Sequence, residues 1–280
     1  MPEITQRRSL LWRAPLPRSY VDFVGLKVLR FILTIQGLGA FALITLAVMI
    51  SKFGTSRRVT MPLIRAHLAR SGVRLFAMTM FVSVALGLII IGQTVSLLER
   101  VNADQFLGTV MVSVVVRELG PLLTALIVLS RTGAANVIEL GTARALGEVE
   151  ALEALGIDPI HYLVAPRVIG MAVGIFSLTI YLIIGALLSG FMWAFLQDVP
   201  LTPGEYFSQL TRALNVTDFV VLASKSLLFG ATIAVVTCYH GLAQPLRLEE
   251  VSGATVRAVA QSVIFCMLLD AMFIVIYLVA

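Results

Sequence analysis

The chain has 280 residues, of which 59% are apolar and only 13% are charged. A typical soluble domain has about 25% charged residues, and a soluble fold of this length could not hide so much apolar surface from water. Composition therefore excludes an ordinary soluble protein and predicts a single all-α integral membrane domain.

The net charge of +5 is concentrated in the first quarter of the chain, where 12 of the 21 Lys and Arg residues precede Leu75. Basic residues usually mark the cytoplasmic side of a membrane protein and contact anionic lipid headgroups. Here they are interleaved with apolar residues and do not form a separate polar domain. We therefore expect a membrane-surface role for them and no binding to nucleic acid.

Residues 1–72 are predicted to form an amphipathic interfacial helix followed by a membrane elbow. The apolar segment 31–50 is long enough to cross a bilayer, but basic residues flank it on both sides. The positive-inside bias disfavours placing two such clusters on opposite faces of the membrane. Gln36, Gly37 and Gly39 near the middle of the segment suit a bend. We expect the segment to enter the cytoplasmic leaflet and return; a full crossing is the alternative.

Residues 73–280 are predicted to form a domain of five transmembrane helices, since a crossing takes about 20 apolar residues. The predicted spans are residues 75–98, 106–140, 168–196, 219–239 and 259–280. The second would be roughly 50 Å long at 1.5 Å per residue, so it projects beyond the hydrocarbon at one end. Few basic residues follow the first and third spans, which predicts a cytoplasmic N-terminus and an external C-terminus.

Ionisable residues interrupt these apolar spans at Arg117, Glu118, Lys225 and Asp270, and Arg257 lies near the start of the last span. A central Arg costs roughly 2.5–3.5 kcal/mol on insertion scales, so such residues need a reason to be there. Either they pair with one another and hold the helices together, or they line a hydrated or headgroup-binding cavity, which we favour. Consecutive residues on a helix do not face the same way, so at least one of Arg117 and Glu118 reaches another helix.

Two further patterns suggest contacts between helices. Arg131 and Glu139 share one face of the second span, which permits an ion pair within that helix. Gly170 and Gly174 open the third span at a spacing that lets helices approach closely, either within the chain or between two copies.

The segment 144–159 reads as a short amphipathic helix between the second and third spans. Leu146, Val149 and Leu152 recur on one face, acidic residues occupy the remainder, and Gly156 and Pro159 end the helix. Interfacial helices generally prefer basic polar faces, so the acidic character favours docking into a groove on a protein partner. Lying on the membrane surface is the alternative.

Common catalytic motifs are missing from the sequence. There is no G-x-x-x-x-G-K-[ST] phosphate loop, no H-E-x-x-H pair and no G-x-S-x-G nucleophile elbow. Cys238 and Cys266 lie in apolar runs, as buried free thiols do. We therefore expect neither a self-contained enzyme nor a cofactor or metal bound by this chain.

Several motifs together resemble one family. They are Arg117-Glu118-Leu119-Gly120-Pro121, Arg131-x-Gly133-Ala134, Glu139-x-Gly141-x-x-Arg144, Asp158-Pro159, Pro166-Arg167, Lys225-Ser226 and Leu269-Asp270. From about Leu75 onward the chain resembles the MlaE/YrbE-type permeases, the membrane subunits of MCE-associated ABC lipid transporters. Gln93 fits this pattern, whereas Val95 stands where the resemblance leads us to expect an aromatic residue.

The resemblance implies a homodimer in the cell inner membrane with a phospholipid cavity between its subunits, to which we assign Arg117, Glu118, Lys225, Asp270, Arg257, Gln93 and Val95. It implies a cytoplasmic ABC ATPase dimer, which uses the ATP and grips a coupling helix with Arg144, Glu148, Glu150, Leu152, Glu153 and Leu155. It also implies a periplasmic MCE-domain partner. A phosphate-bearing headgroup would suit Arg117 or Lys225.

Two other classes of function remain open at this point. A proton-coupled secondary transporter could use Glu118 or Asp270 as a proton carrier. A structural membrane anchor for a partner complex would need the buried charges only as ion pairs.

Overall fold

The computed structural model describes residues 17–52, 57–100, 106–196, 203–242 and 247–279. Their regular structure is entirely helical, as the composition predicts. The chain divides into two compact units, Met1–Ile44 and Thr45–Ala280. Most of the predicted interfacial helix before residue 17 lies outside the described residues.

Twelve α-helices are described. Their bounds are α1 Pro17–Lys52, α2 Arg57–Ser71, α3 Phe76–Leu86, α4 Gly92–Arg100, α5 Leu107–Met111, α6 Gly120–Val128, α7 Ala134–Ala145, α8 Glu148–Ala154, α9 Ala165–Leu196, α10 Pro203–Ala213, α11 Val216–Leu242 and α12 Val251–Val279. Four π-helical segments join or extend them: Gly87–Ile91, Val112–Leu119, Leu129–Gly133 and Ile160–Val164. Short 3₁₀ turns, Val73–Leu75 and Leu248–Glu250, precede α3 and α12.

Helix α1 corrects one prediction. It runs unbroken through Gln36, Gly37 and Gly39, so the bend predicted there is wrong. A glycine inside a helix costs only about 1 kcal/mol relative to alanine, and the surrounding residues are good helix formers in an apolar setting. Leu33–Ser51 is long and apolar enough to cross a membrane. The placement of this stretch in one leaflet stays a prediction.

Within the described residues, six helical stretches have the length and composition of a membrane span. They are Leu33–Ser51, Thr60–Val95, Leu107–Ala145, Ile160–Trp193, Val216–Leu242 and Leu248–Tyr277. Each of the five predicted spans lies mainly on one of the last five. The chain is therefore a multi-pass membrane protein.

The second predicted span belongs to one continuous helical rod, Leu107–Ala145, built from α5, α6, α7 and two π segments. At 1.5 Å per residue its 39 residues extend about 58 Å, so it is longer than one crossing, as predicted. Its first π segment contains Arg117 and Glu118, and its second contains Arg131. Such π segments inside α-helices are frequent at functional sites.

Helices α9 and α11 pack against each other and contact most of the other helices of the second unit. Small residues let α2 approach α9: a Cβ added to Gly174 would lie 2.4 Å from the Ser71 hydroxyl, which itself donates to the Gly170 carbonyl at 2.9 Å. A Cβ on Gly230 of α11 would lie 2.4 Å from the Cα of Ala172 on α9. The Gly170–Gly174 pair therefore serves packing within the chain.

Helix α10 closes one end of the bundle. Tyr206 is 1% exposed and its hydroxyl donates to the Leu187 carbonyl of α9 at 3.1 Å. Burial raises the pKa of Tyr206, so the hydroxyl stays a donor. Gly108 of α5 leaves room for the backbone of Gln209, 2.6 Å from where a Cβ would be. These contacts fix α10 over the ends of α5 and α9.

Candidate functional site: intramembrane charges and an acidic helix

Lys225 is the centre of an ion cluster inside the helical bundle. Its side chain is 1% exposed, and its ammonium lies 2.8 Å from Oε2 of Glu118 and 2.7 Å from Oδ1 of Asp270. It also donates to the backbone carbonyl of Arg117 at 3.0 Å. An ammonium has three N–H donors, and three acceptors surround this one. The Lys225 cluster thus connects the π segment of the second span, α11 and α12.

Arg117 forms a further ion pair between the π segment of the second span and α11. Its Nε lies 2.8 Å from Oδ1 of Asp218 and its Nη2 donates to Oδ2 of that carboxylate at 3.2 Å. The guanidinium also stacks over the ring of Tyr277 on α12, 4.3 Å from the ring centroid. Asp218 is 3% exposed and accepts the backbone N–H of Asn215 as well. Planar stacking and two-point carboxylate binding are the contacts for which arginine is suited.

The backbone explains why these neighbours find separate partners. Arg117 and Glu118 point in different directions, as predicted, and each reaches α11 at a different height. Their partners Asp218 and Lys225 are seven residues apart, two helical turns on one face of α11. The Arg117 carbonyl, which lies in the π segment, also accepts from Lys225.

Exposure differs sharply within this site. Lys225 is 1% exposed, Asp270 is 13% exposed and Glu118 is 36% exposed in the single chain. Because Lys225 is buried between two carboxylates whereas Arg117 is 20% exposed, Arg117 is the better of the two cations for a headgroup. The cluster carries one carboxylate more than its ammonium can balance.

The remaining residues assigned to a lipid cavity lie elsewhere. Arg257 is exposed on α12 and forms none of the ion pairs among the described residues. Gln93 is exposed on α4, whereas Val95 is 2% exposed and packs in the apolar core beneath α10. The structure therefore brings together Arg117, Glu118, Lys225 and Asp270 and leaves the other three apart.

Glu139 has partners outside its own helix. It pairs with Arg70 of α2 at 2.5 Å and with Arg167 of α9 at 3.3 Å. Arg131, its predicted partner on the same face, is exposed. The ion pair expected within the helix is absent because two arginines from packed neighbours occupy the carboxylate.

Helix α8 lies at the same end of the bundle as Glu139. Glu148, Glu150, Glu153 and Leu155 are exposed, Leu152 is half-buried, and only Val149 of the predicted apolar face is buried. Arg144 pairs with Glu150 at 3.1 Å.

Two glycines define the ends of α8. Gly147 and Gly156 have φ of 78° and 76°, the left-handed region that glycine enters without a Cβ penalty. Past the C-terminus, the Gly156 N–H donates to the Glu153 carbonyl and the Ile157 N–H donates to the Leu152 carbonyl. This pairing is a Schellman motif, and it stops the helix at a defined residue. The acidic helix is therefore a short, exposed and rigidly bounded unit.

Comparison with known proteins identifies the family. The Permease MlaE family model matches residues 64–276. The chain belongs to the MlaE permease family. A probable ABC transporter permease protein of Rickettsia prowazekii is 33% identical over 195 residues, covering 69% of this chain and 73% of the relative. One from Rickettsia felis is 29% identical over 260 residues, covering 89% and 94%.

A plant relative is also similar to this MlaE-family chain. The chloroplast protein Trigalactosyldiacylglycerol 1 of Arabidopsis thaliana is 30% identical over 206 residues, covering 73% of this chain and 58% of the relative. The MlaE match runs from α2 to α12, so it contains the Lys225 cluster, the Arg117–Asp218 ion pair and α8, and it leaves α1 outside. Among the described residues, no group of three or more His, Cys, Asp or Glu converges as a metal site.

Sequence reasoning missed two residues of the candidate site, Asp218 and Tyr277. Asp218 follows a polar loop, so in the sequence it looks like a loop charge and not like part of the membrane span. Its spacing of seven residues from Lys225 was the available signal, because that places both on one helix face. Tyr277 gave no such signal, since a tyrosine near the end of a span is ordinary.

Proposed function

We propose that this chain is the transmembrane permease subunit of an ATP-driven ABC transporter that moves phospholipids or related lipids between the inner membrane and a periplasmic MCE-protein conduit. The observation that carries the proposal is the partly exposed Glu118 carboxylate beside Lys225 and Asp270, at mid-span of a permease-family chain. A charge facing hydrocarbon is costly, whereas a charge facing a hydrated or headgroup-lined cavity is not.

A homodimer would supply that cavity. Glu118 and Asp270 open toward the outside of the single chain, and α12, which carries Asp270, is mostly exposed along its length. A second copy placed against this face would enclose the two carboxylates in a polar chamber within the bilayer. Symmetric pairing of one surface with itself is the commonest way in which chains of this kind assemble.

The lipid substrate is supported by chemistry and by similarity. Arg117 offers a planar, partly exposed cation in apolar surroundings, where binding of a phosphate-bearing headgroup is strong. The Arabidopsis relative bears the name of a galactolipid, trigalactosyldiacylglycerol. Both favour an amphiphile with a polar headgroup over a small polar solute.

The ATPase would bind α8. Three exposed glutamates on one short, capped helix form an acidic surface at the end of the bundle that we place in the cytoplasm. Relatives named as probable ABC transporter permeases support a partner that hydrolyses ATP. In this arrangement the N-terminus is cytoplasmic, the C-terminus is periplasmic and α10 faces the MCE partner.

Charge reversal on α8 tests the proposal. Glu150→Lys with Glu153→Lys would replace two acids by two bases, so we expect the ATPase to be lost from the complex purified in mild detergent. The membrane bundle would stay folded, because the surface pair Arg144–Glu150 contributes no more than about 1 kcal/mol.

Glu249→Lys is the matched control, since Glu249 is exposed at the same end of the bundle and lies outside α8. It is expected to keep the ATPase. Normal recovery of the ATPase with the double reversal would contradict the placement of the docking surface on α8.

A further inference from the structure

Two cavities meet at Asp218, at the end of the bundle closed by α10. The first is an apolar groove of about 340 Å³ between α9, α11 and the π segment of the second span. Nine of its ten lining residues are hydrophobic, among them Val116, Phe176, Ile184 and Phe219, and the tenth is Asp218. The second cavity, about 430 Å³, is lined by Asn215, Val216, Thr217, Asp218 and Tyr277.

The size and lining of the groove favour a hydrocarbon chain over a transmembrane helix as its occupant. Ile184 and Phe219 are 49% and 59% exposed, so the groove opens sideways to the surrounding membrane. A transmembrane helix with side chains is about 10–12 Å across, and 340 Å³ would hold only about one turn of it or less. A flexible hydrocarbon chain, one methylene wide, fits a groove of this volume and lining.

The adjoining cavity matches a headgroup without net charge. Arg117 and Asp218 neutralise each other, and Arg117 stacks on Tyr277, which lines the cavity. Among the described residues, Asp218 is the one charged residue that lines the cavity, and its pairing with Arg117 means that a headgroup with net charge would meet no uncompensated counter-charge. Asn215 and Thr217 add polar groups at the rim.

We propose that this groove is a lateral lipid-binding site within one subunit, separate from the cavity between two subunits. An acyl chain lies along the apolar groove, and a zwitterionic phosphate–ammonium headgroup lies in the cavity beyond Asp218. This site rests on the proposed function, because it would supply the transporter with lipid from the membrane leaflet next to α10.

Photolabelling in vesicles tests the site directly. The purified full chain is placed in vesicles of phosphatidylethanolamine and phosphatidylglycerol with a trace of phosphatidylethanolamine that carries a diazirine on one acyl chain. After irradiation we expect the adducts to concentrate on the groove-lining residues of α9 and α11. Ile184→Trp fills the groove and is expected to reduce these adducts severalfold.

Leu188→Trp is the matched control, because Leu188 lies one turn further along α9, is 50% exposed and does not line the groove. Equal labelling of the two variants would mean that only the ordinary lipid shell is seen, and it would overturn the site. A photoreactive amino acid at position 184 that captures a partner's transmembrane helix in cell membranes would overturn the lipid as occupant.

Headgroup preference is tested with Asp218→Asn. The substitution leaves the Arg117 charge unbalanced, so adducts from an otherwise identical phosphatidylglycerol probe should increase relative to those from the phosphatidylethanolamine probe. An unchanged ratio would overturn the headgroup assignment. Neither assay requires the ATPase or transport activity, so a negative result would contradict the lateral site without contradicting the permease function. Conversely, adducts in the groove without ATP-driven transport would count only against the permease function.

Discussion

The stability of the folded helical bundle depends strongly on one side chain, Lys225. An ammonium buried among apolar helices is tolerable only because Glu118 and the Arg117 carbonyl accept its N–H groups and the Asp270 carboxylate pairs with its charge at 2.7 Å. Removing a buried ion's partner is far more damaging than replacing the whole set, since the stranded charge keeps its desolvation penalty. The residue therefore holds the helices together, whatever the cavity beside it binds.

Lys225→Met is expected to destabilise the fold by about 3–5 kcal/mol, because two carboxylates then face each other without a cation. Adding Asp270→Asn to that variant removes one stranded charge and should recover part of the loss. Thermal unfolding in detergent measures both effects. Arg257→Gln, at an exposed cation outside the ion pairs, serves as the control and should melt like the wild type. A wild-type melting temperature for Lys225→Met would show that water already solvates the cluster.

At the scale of helices, the close approach of α9 and α11 depends on a missing side chain. Gly230 faces the backbone of Ala172, and backbone cannot rotate out of the way of a new methyl group as a flexible side chain can. Helix α11 carries the partners of Arg117 and Glu118, and α9 and α11 together form walls of the lateral groove. Their separation therefore sets the width of that groove.

Gly230→Ala is expected to destabilise the protein by about 1–3 kcal/mol through overpacking. Gly253→Ala on α12 is the matched comparison, because its new Cβ would meet only the Arg257 side chain at 3.4 Å. Alanine gains up to about 1 kcal/mol over glycine inside a helix, so this second variant should melt at or above the wild-type temperature. A lower melting temperature for Gly253→Ala than for Gly230→Ala would contradict the packing described here.

Helices were easier to predict from the sequence than their contacts. Uninterrupted apolar runs define the spans, and within such runs Arg117, Glu118, Lys225 and Asp270 stand out. Their pairing depends on the rotation of each helix about its axis, which a π segment changes locally without any marker in the sequence. Glu139 shows the same limit, since its partners Arg70 and Arg167 come from helices far away in the chain.

At the scale of the whole molecule, the placement of α1 decides between five and six crossings. Its unbroken helix and apolar Leu33–Ser51 stretch permit a crossing, whereas basic residues near both ends favour keeping both on the cytoplasmic side. We expect the charge bias to prevail, with α1 lying within one leaflet. This gives five crossings and termini on opposite sides of the membrane.

Cysteine accessibility measures that placement. Cysteines introduced singly at Ser19 and Ser51, near the two ends of α1, should both resist a membrane-impermeant thiol reagent added from outside intact cells. The native Cys238 and Cys266 are buried, so background labelling is low. External labelling of Ser19→Cys alone would establish a sixth crossing and place the N-terminus outside.

Lipid transfer by the reconstituted complex tests the central claim most directly. The chain is purified with its ATPase and incorporated into vesicles that contain a fluorescent phospholipid, and transfer to an external MCE-domain acceptor is followed with and without ATP. We expect transfer that requires ATP and is abolished by Glu150→Lys with Glu153→Lys. Transfer that proceeds without the ATPase and follows an imposed proton gradient would contradict the account and favour a secondary transporter.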